Sequence, residues 1–167
     1  MRPNKDTKRN YQNQILLMFI IFVLGVLAYV LGAFRPIHEV GHVIFADGYA
    51  YVAGWGTAYI QNPTPKSIMG GYGFEMSFWL TMFFLVRALS SSNAYWPPCW
   101  LGFPTAVISA AYVQAYYSAD FHEYARFHGY DTVTVQITWA IVATPIILLV
   151  LGLIIHRLTV LHKYTRA

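Results

Sequence analysis

The chain has 167 residues, enough for one domain. It is 57 % hydrophobic, 17 % aromatic and only 11 % charged, where an average soluble domain carries about 25 % charged residues. That balance predicts an integral membrane protein. The net charge of +4 does not read as a nucleic-acid surface, because its basic residues flank apolar runs and line no polar face. The single cysteine, Cys99, excludes an intrachain disulfide and the cysteine-based zinc and redox motifs.

Residues 1–13 are polar and basic (Arg2, Lys5, Lys8, Arg9) and predict a tail that is disordered or lies among lipid headgroups. Residues 14–34 carry no charge and match the ~20 apolar residues that cross a bilayer. The run is too long for a signal-peptide core and lacks a small-residue cleavage site, so it reads as a retained anchor. Arg35 ends it, and Pro36 suits the first turn of a new helix over 36–46, stopped by Asp47-Gly48. Residues 49–60 mix aromatic, β-branched and small residues and predict a short hairpin or a bulged strand. Residues 61–73, with Pro63, Pro65, Gly70, Gly71 and Gly73, read as loop.

A second span is predicted at about 75–90, with Glu75 and Arg87 snorkelling near its ends and Glu75 paired with a lysine or arginine. Residues 91–98 read as a tight turn with interfacial aromatics. A third span follows at 99–118, rich in small residues that suit close helix packing in lipid. Residues 119–132 are polar. A fourth span covers 133–155, kinked at Pro145, and residues 158–167 form a basic tail.

The predicted fold is therefore an all-α polytopic membrane protein: one membrane domain over 14–157, about four transmembrane helices, a short helix at 36–46 and a small β-hairpin-like segment. An even number of spans puts both basic termini on one side, the cytoplasmic side by the positive-inside rule. It also puts residues 36–46 and 119–132 together at the opposite face, away from His156 and His162.

The helix at 36–46 carries the chemistry. His38-Glu39-Val40-Gly41-His42 places two imidazoles four residues apart, on one helical face, with a carboxylate between them. Two such histidines can grip one metal ion, and the glutamate can take a proton from metal-bound water. Gly41 lets another element approach closely beside the second histidine. A hydrolytic zinc site needs a third protein ligand and one open position. Asp120, the first polar residue nearest the third span, is the leading candidate, with His122 and Asp131 as alternatives; Glu123 and His128 read as solvated.

This helix in a polytopic chain, followed by a glycine-rich strand-like segment, resembles the site-2 protease family of intramembrane zinc metalloproteases. The resemblance covers residues 36–73 and the region of Asp120. It implies Zn²⁺ held by His38, His42 and Asp120, with Glu39 as the catalytic base. It also implies a membrane protein or peptide substrate, unwound and held by strand addition to 49–60, and hydrolysis of a peptide bond in or near a transmembrane segment. Two other classes fit the residues less well. One is a non-catalytic membrane subunit or metal-binding pseudo-enzyme. The other is a di-iron oxidase or hydroxylase, for which only His38, His42, His122 and His128 lie on the expected face.

Overall fold

The computed structural model describes residues 5–92 and 98–166. Most of the turn expected at 91–98 lies outside the described residues. The element order is α1 (Lys5–Val30), α2 (Arg35–Ile44), β1 (Ala50–Gly54), β2 (Thr57–Ile60), α3 (Pro65–Ser92), α4 (Gly102–Ala115), α5 (Ala119–His128) and α6 (Thr132–Arg166), with a 3₁₀ turn at Pro98–Leu101 leading into α4.

Helix α1 begins inside the expected polar tail and runs to Val30, where Gly32 adopts φ 80°. The Gly32 N–H reaches Tyr29 O and the Ala33 N–H reaches Ala28 O, a glycine-centred stop that satisfies the last carbonyls. Two residues later α2 starts with Pro36 in its first turn. Residues 50–60 form the predicted hairpin. Tyr51 pairs with Tyr59 and Val52 with Ala58, and the register shifts between Val52 and Gly54, as a bulge does. At the hairpin turn, Trp55 Nε1 donates to Gly32 O at 2.9 Å, tying the hairpin to the corner between α1 and α2.

One expectation for the middle of the chain is corrected. Residues 65–73 are helix and not loop, so α3 starts ten positions before Glu75. The start has local causes. Thr64 Oγ1 accepts from the Ser67 N–H while the Ser67 hydroxyl accepts from the Thr64 N–H, a reciprocal cap with proline at the first helical position. The glycines after it are packing residues, described below. Within the polar segment 119–132, residues 119–128 form a helix: Ser118 Oγ accepts from the Phe121 N–H, and Gly129 closes the end at φ 68°.

Helix α4 is the innermost element. Its Val107, Ile108 and Ala111 are buried against Phe83 and Val86 of α3 and Val150 of α6. Small residues let α1 approach it: a methyl added at Gly25 would lie 2.8 Å from Ala106 Cβ.

Among the described residues, two helices are long and apolar enough to cross a membrane, α1 over Gln12–Val30 and α6 over Thr132–Val160. Their outer faces expose Leu16, Phe19, Leu27, Ile141, Leu148 and Ile155. Of the four predicted spans, these two meet that test. Helix α3 is long but carries Glu75 and Arg87 in its body, and α4 has 14 residues, about 21 Å, short of a ~30 Å hydrocarbon core. Helix α6 continues through Pro145 and past the expected end of its span to Arg166.

Candidate metal centre

The two histidines of α2 face α3 and α5. Helix α2 is strongly two-sided, with Gly41 and His42 buried and Val40 and Ile44 exposed. Glycines set how closely α3 comes. A methyl on Gly41 would lie 2.5 Å from Gly70 O and 2.9 Å from Gly71 Cα, so the two backbones touch. A methyl on Gly71 would lie 2.6 Å from His38 Cε1 and 2.7 Å from His42 Cε1, so the bare Cα of Gly71 is the floor on which both rings rest. The close neighbour that Gly41 was expected to admit is therefore α3.

Asp120 arrives in the first turn of α5, at a position the Ser118 cap defines. Its Oδ2 lies 3.0 Å from His38 Nε2 and 3.6 Å from His42 Nε2, and the two Nε2 atoms are 3.0 Å apart. Ligand atoms about 2.0–2.1 Å from one tetrahedral ion are about 3.3 Å from each other. The three separations bracket that value, and the His38, His42 and Asp120 group could hold a metal ion.

The remote ring nitrogens sharpen this. His42 Nδ1 is 2.7 Å from the Ser67 carbonyl in the first turn of α3. His38 Nδ1 is 3.3 Å from Glu75 Oε2. The Ser67 carbonyl can only accept, which places the His42 N–H on Nδ1 and leaves its Nε2 lone pair pointing inward; the Glu75 oxygen beside His38 Nδ1 suits the same tautomer. Three electron-rich atoms then meet at one point, an arrangement that needs a cation, or protons, between them.

Without a metal, protons serve. Burial lowers the basicity of His38, but the Asp120 and Glu75 carboxylates outweigh it and push its pKa up to about 9. Burial acts the same way on His42, and Asp120 and the Ser67 carbonyl again raise it. Burial would raise Asp120, but its hydrogen bond with His38 and the neighbouring His42 imidazole hold it down at about 2.

Glu39 lines two cavities beside this cluster. One, of about 260 Å³, is bounded by His38, Glu39, His42 and Asp120 on one side and by Thr57, Ala58 and Ile60 of β2 on the other. The second, of about 210 Å³, is polar and includes Tyr29, Arg35, Glu75 and Gln114. Only His38 and Glu39 belong to both.

The alternative third ligands lie elsewhere. His122 is exposed, with Nδ1 3.1 Å from Ser118 O. Asp131 caps α6, accepting from the Thr134 N–H at 2.6 Å. His128 is exposed and stacks on Tyr130. Glu123 is exposed at the rim of the larger cavity.

Glu75 is the main residue whose place the sequence reading missed. It is 1 % exposed and contacts His38 and Tyr29, with no lysine or arginine paired to it among the described residues. The basic partner expected for it is thus corrected: α3 begins at Pro65, and Glu75 faces His38 and Tyr29 from within the helix packing. A carboxylate in an apolar run was itself a signal of function. Tyr72, whose ring meets His38 edge-on at 4.4 Å, carried no signal beyond being aromatic. No protein-family model, no curated protein and no solved structure matches this chain.

Proposed function

We propose that this chain is a zinc-dependent, membrane-embedded metalloprotease that hydrolyses a peptide bond in or near a transmembrane segment, with Glu39 as general base. The observation that carries the reading is the convergence of His38 Nε2, His42 Nε2 and Asp120 Oδ2 beside a cavity that Glu39 and the β2 strand also line.

Two histidines and one carboxylate form a three-ligand set of the kind that hydrolytic zinc sites use, leaving one position for water. Bound there, the ion would lower the pKa of that water towards ~7 and polarise the scissile carbonyl. The chain's own groups do the rest. Glu39 takes the water's proton on its carboxylate and passes it to the departing amine. The backbone edge of Thr57–Ile60 holds the substrate extended, which opens a peptide bond that a helix would shield. His38 and His42, locked through their Nδ1 atoms, keep their Nε2 atoms in place throughout.

In this reading α3 and α4 belong to the membrane domain together with α1 and α6. The centre lies at the end of the bundle away from the two basic termini. The test is cleavage of a helical membrane substrate by purified protein. The reading predicts that Glu39→Gln retains the metal and loses activity at least ~100-fold, the scale on which general bases act. Equal cleavage by mutant and wild type would sink the catalytic assignment. The di-iron alternative has lost its extra ligands, since His122 and His128 stand outside the cluster.

A further inference from the structure

Glu75 is the only buried carboxylate among the described residues. It lies ten positions into α3, in an otherwise apolar stretch, where an unpartnered negative charge would be expensive. Its Oε2 has two neighbours, His38 Nδ1 at 3.3 Å and the Tyr29 hydroxyl at 3.4 Å. Tyr29 belongs to the last turn of α1, His38 to α2 and Glu75 to α3, so three consecutive helices meet at one carboxylate oxygen. The far nitrogen of the same imidazole is the atom that faces Asp120 and His42.

We propose that Glu75 is a positioning residue of the metal centre: it accepts the Nδ1–H of His38 and so fixes that ring's tautomer and orientation, while Tyr29 steadies the carboxylate from α1. The inference rests on the reading of His38, His42 and Asp120 as metal ligands and extends it to the groups behind them. The contrast with His42 supports a specific role. His42 Nδ1 is held by a backbone carbonyl, which any residue at position 67 supplies. His38 faces instead a side-chain carboxyl oxygen from a buried residue of the next helix, a partner that only this residue type at position 75 supplies. The Tyr72 ring against His38 restricts the remaining freedom of the imidazole, so Glu75 sets its rotation.

The experiment uses the full chain in detergent micelles, with zinc affinity measured by competition against a chromophoric chelator and the ligand field read from the absorption of the cobalt(II) form. Relative to wild type, Glu75→Leu is expected to bind zinc ~100-fold more weakly and Glu75→Gln ~10-fold, since a neutral amide oxygen still accepts the N–H. The cobalt spectrum should shift in both. Tyr29→Phe, which removes one hydroxyl and little volume, should weaken binding several-fold and serves if Glu75→Leu does not fold. Val86→Ala, a core truncation far along α3, should lower thermal stability and leave the affinity of folded protein unchanged, separating positioning from general packing. Wild-type affinity and an unshifted spectrum in Glu75→Gln and Tyr29→Phe, with binding lost in His38→Ala, would overturn the role of Glu75 alone. Failure of wild type itself to bind zinc would overturn the metal reading beneath it.

Discussion

Asp120 Oδ2 and His38 Nε2 stand 3.0 Å apart although 82 positions separate them in the chain. The contact needs the cap at Ser118 to start α5 in the right register and the seam between α2 and α3 to hold His38 still. Removing Asp120 should therefore empty the centre. Asp120→Ala is expected to reduce zinc affinity by more than ~100-fold, beyond the 10–100-fold typical of groups behind the ligands. Asp131→Ala, at the cap of α6, should lower the thermal midpoint slightly and leave zinc binding intact. Metal analysis of the two purified variants checks both.

Protons and metal compete for the same atoms. With His38 pushed up to about 9, the metal-free ring is protonated at pH 7, and loading must release that proton. Zinc affinity should rise with pH through 7 and 8 and level off near 9. The metal-free protein should show the opposite trend on the alkaline side. A raised histidine stabilises the fold fully below its ordinary value of 6.5 and loses that contribution as pH climbs through about 9. Asp120, held at about 2, stabilises above its ordinary 3.8 and loses that contribution as pH falls through about 2. Thermal midpoints in chelator should thus be highest between about pH 4 and 6.5 and decline towards 9, with zinc removing the alkaline decline.

A glycine carries as much of the site as a ligand does. Gly71→Ala places a methyl 2.6–2.7 Å from both imidazoles, which must then separate or turn. Overpacking of this kind costs about 1–3 kcal/mol. The expected result is loss of zinc binding in a protein that remains folded by circular dichroism. Gly73→Ala, where nothing lies within 4 Å of the added methyl, should behave as wild type. Zinc binding by Gly71→Ala at wild-type strength would contradict the packing described here.

The exposed apolar face of α6 should be covered by lipid. Cys99 is the only cysteine, so a Cys99→Ser background accepts single cysteines elsewhere. Leu148→Cys, on a side chain 63 % exposed, should resist a water-soluble maleimide in liposomes and react in denaturant. His122→Cys, exposed on α5 outside the two apolar helices, should react in any bilayer open to that face. Rapid labelling at position 148 in liposomes would place α6 in water.

Much of this arrangement was legible in the sequence. The four-residue spacing of His38 and His42 survives in the helix, the hairpin falls within 49–60 with its bulge, and Asp120 comes to the cluster ahead of His122 and Asp131. The misreadings share a physical cause. Proline and glycine at 63–73 were read as breakers, but Thr64-Pro65 is a helix start, and in a helix packed backbone to backbone glycine is a contact surface. Ser118 and Gly129 bracket α5 as cap and stop, signals that the polar composition of 119–132 obscured. Glu75 faces a histidine and a tyrosine and not the lysine or arginine expected for it. Its partner His38 is brought to it by tertiary packing, which a local pattern does not encode.

Helix α2 has ten residues, fewer than the ~12–15 at which an isolated helix begins to persist in water. It exists because Gly41 can settle onto Gly70 and Gly71. The pentapeptide at 38–42 is consequently not a portable device. Cut out as a peptide, or grafted onto another surface helix, it would keep its letters and lose its grip, because the floor under its imidazoles belongs to a different part of the chain.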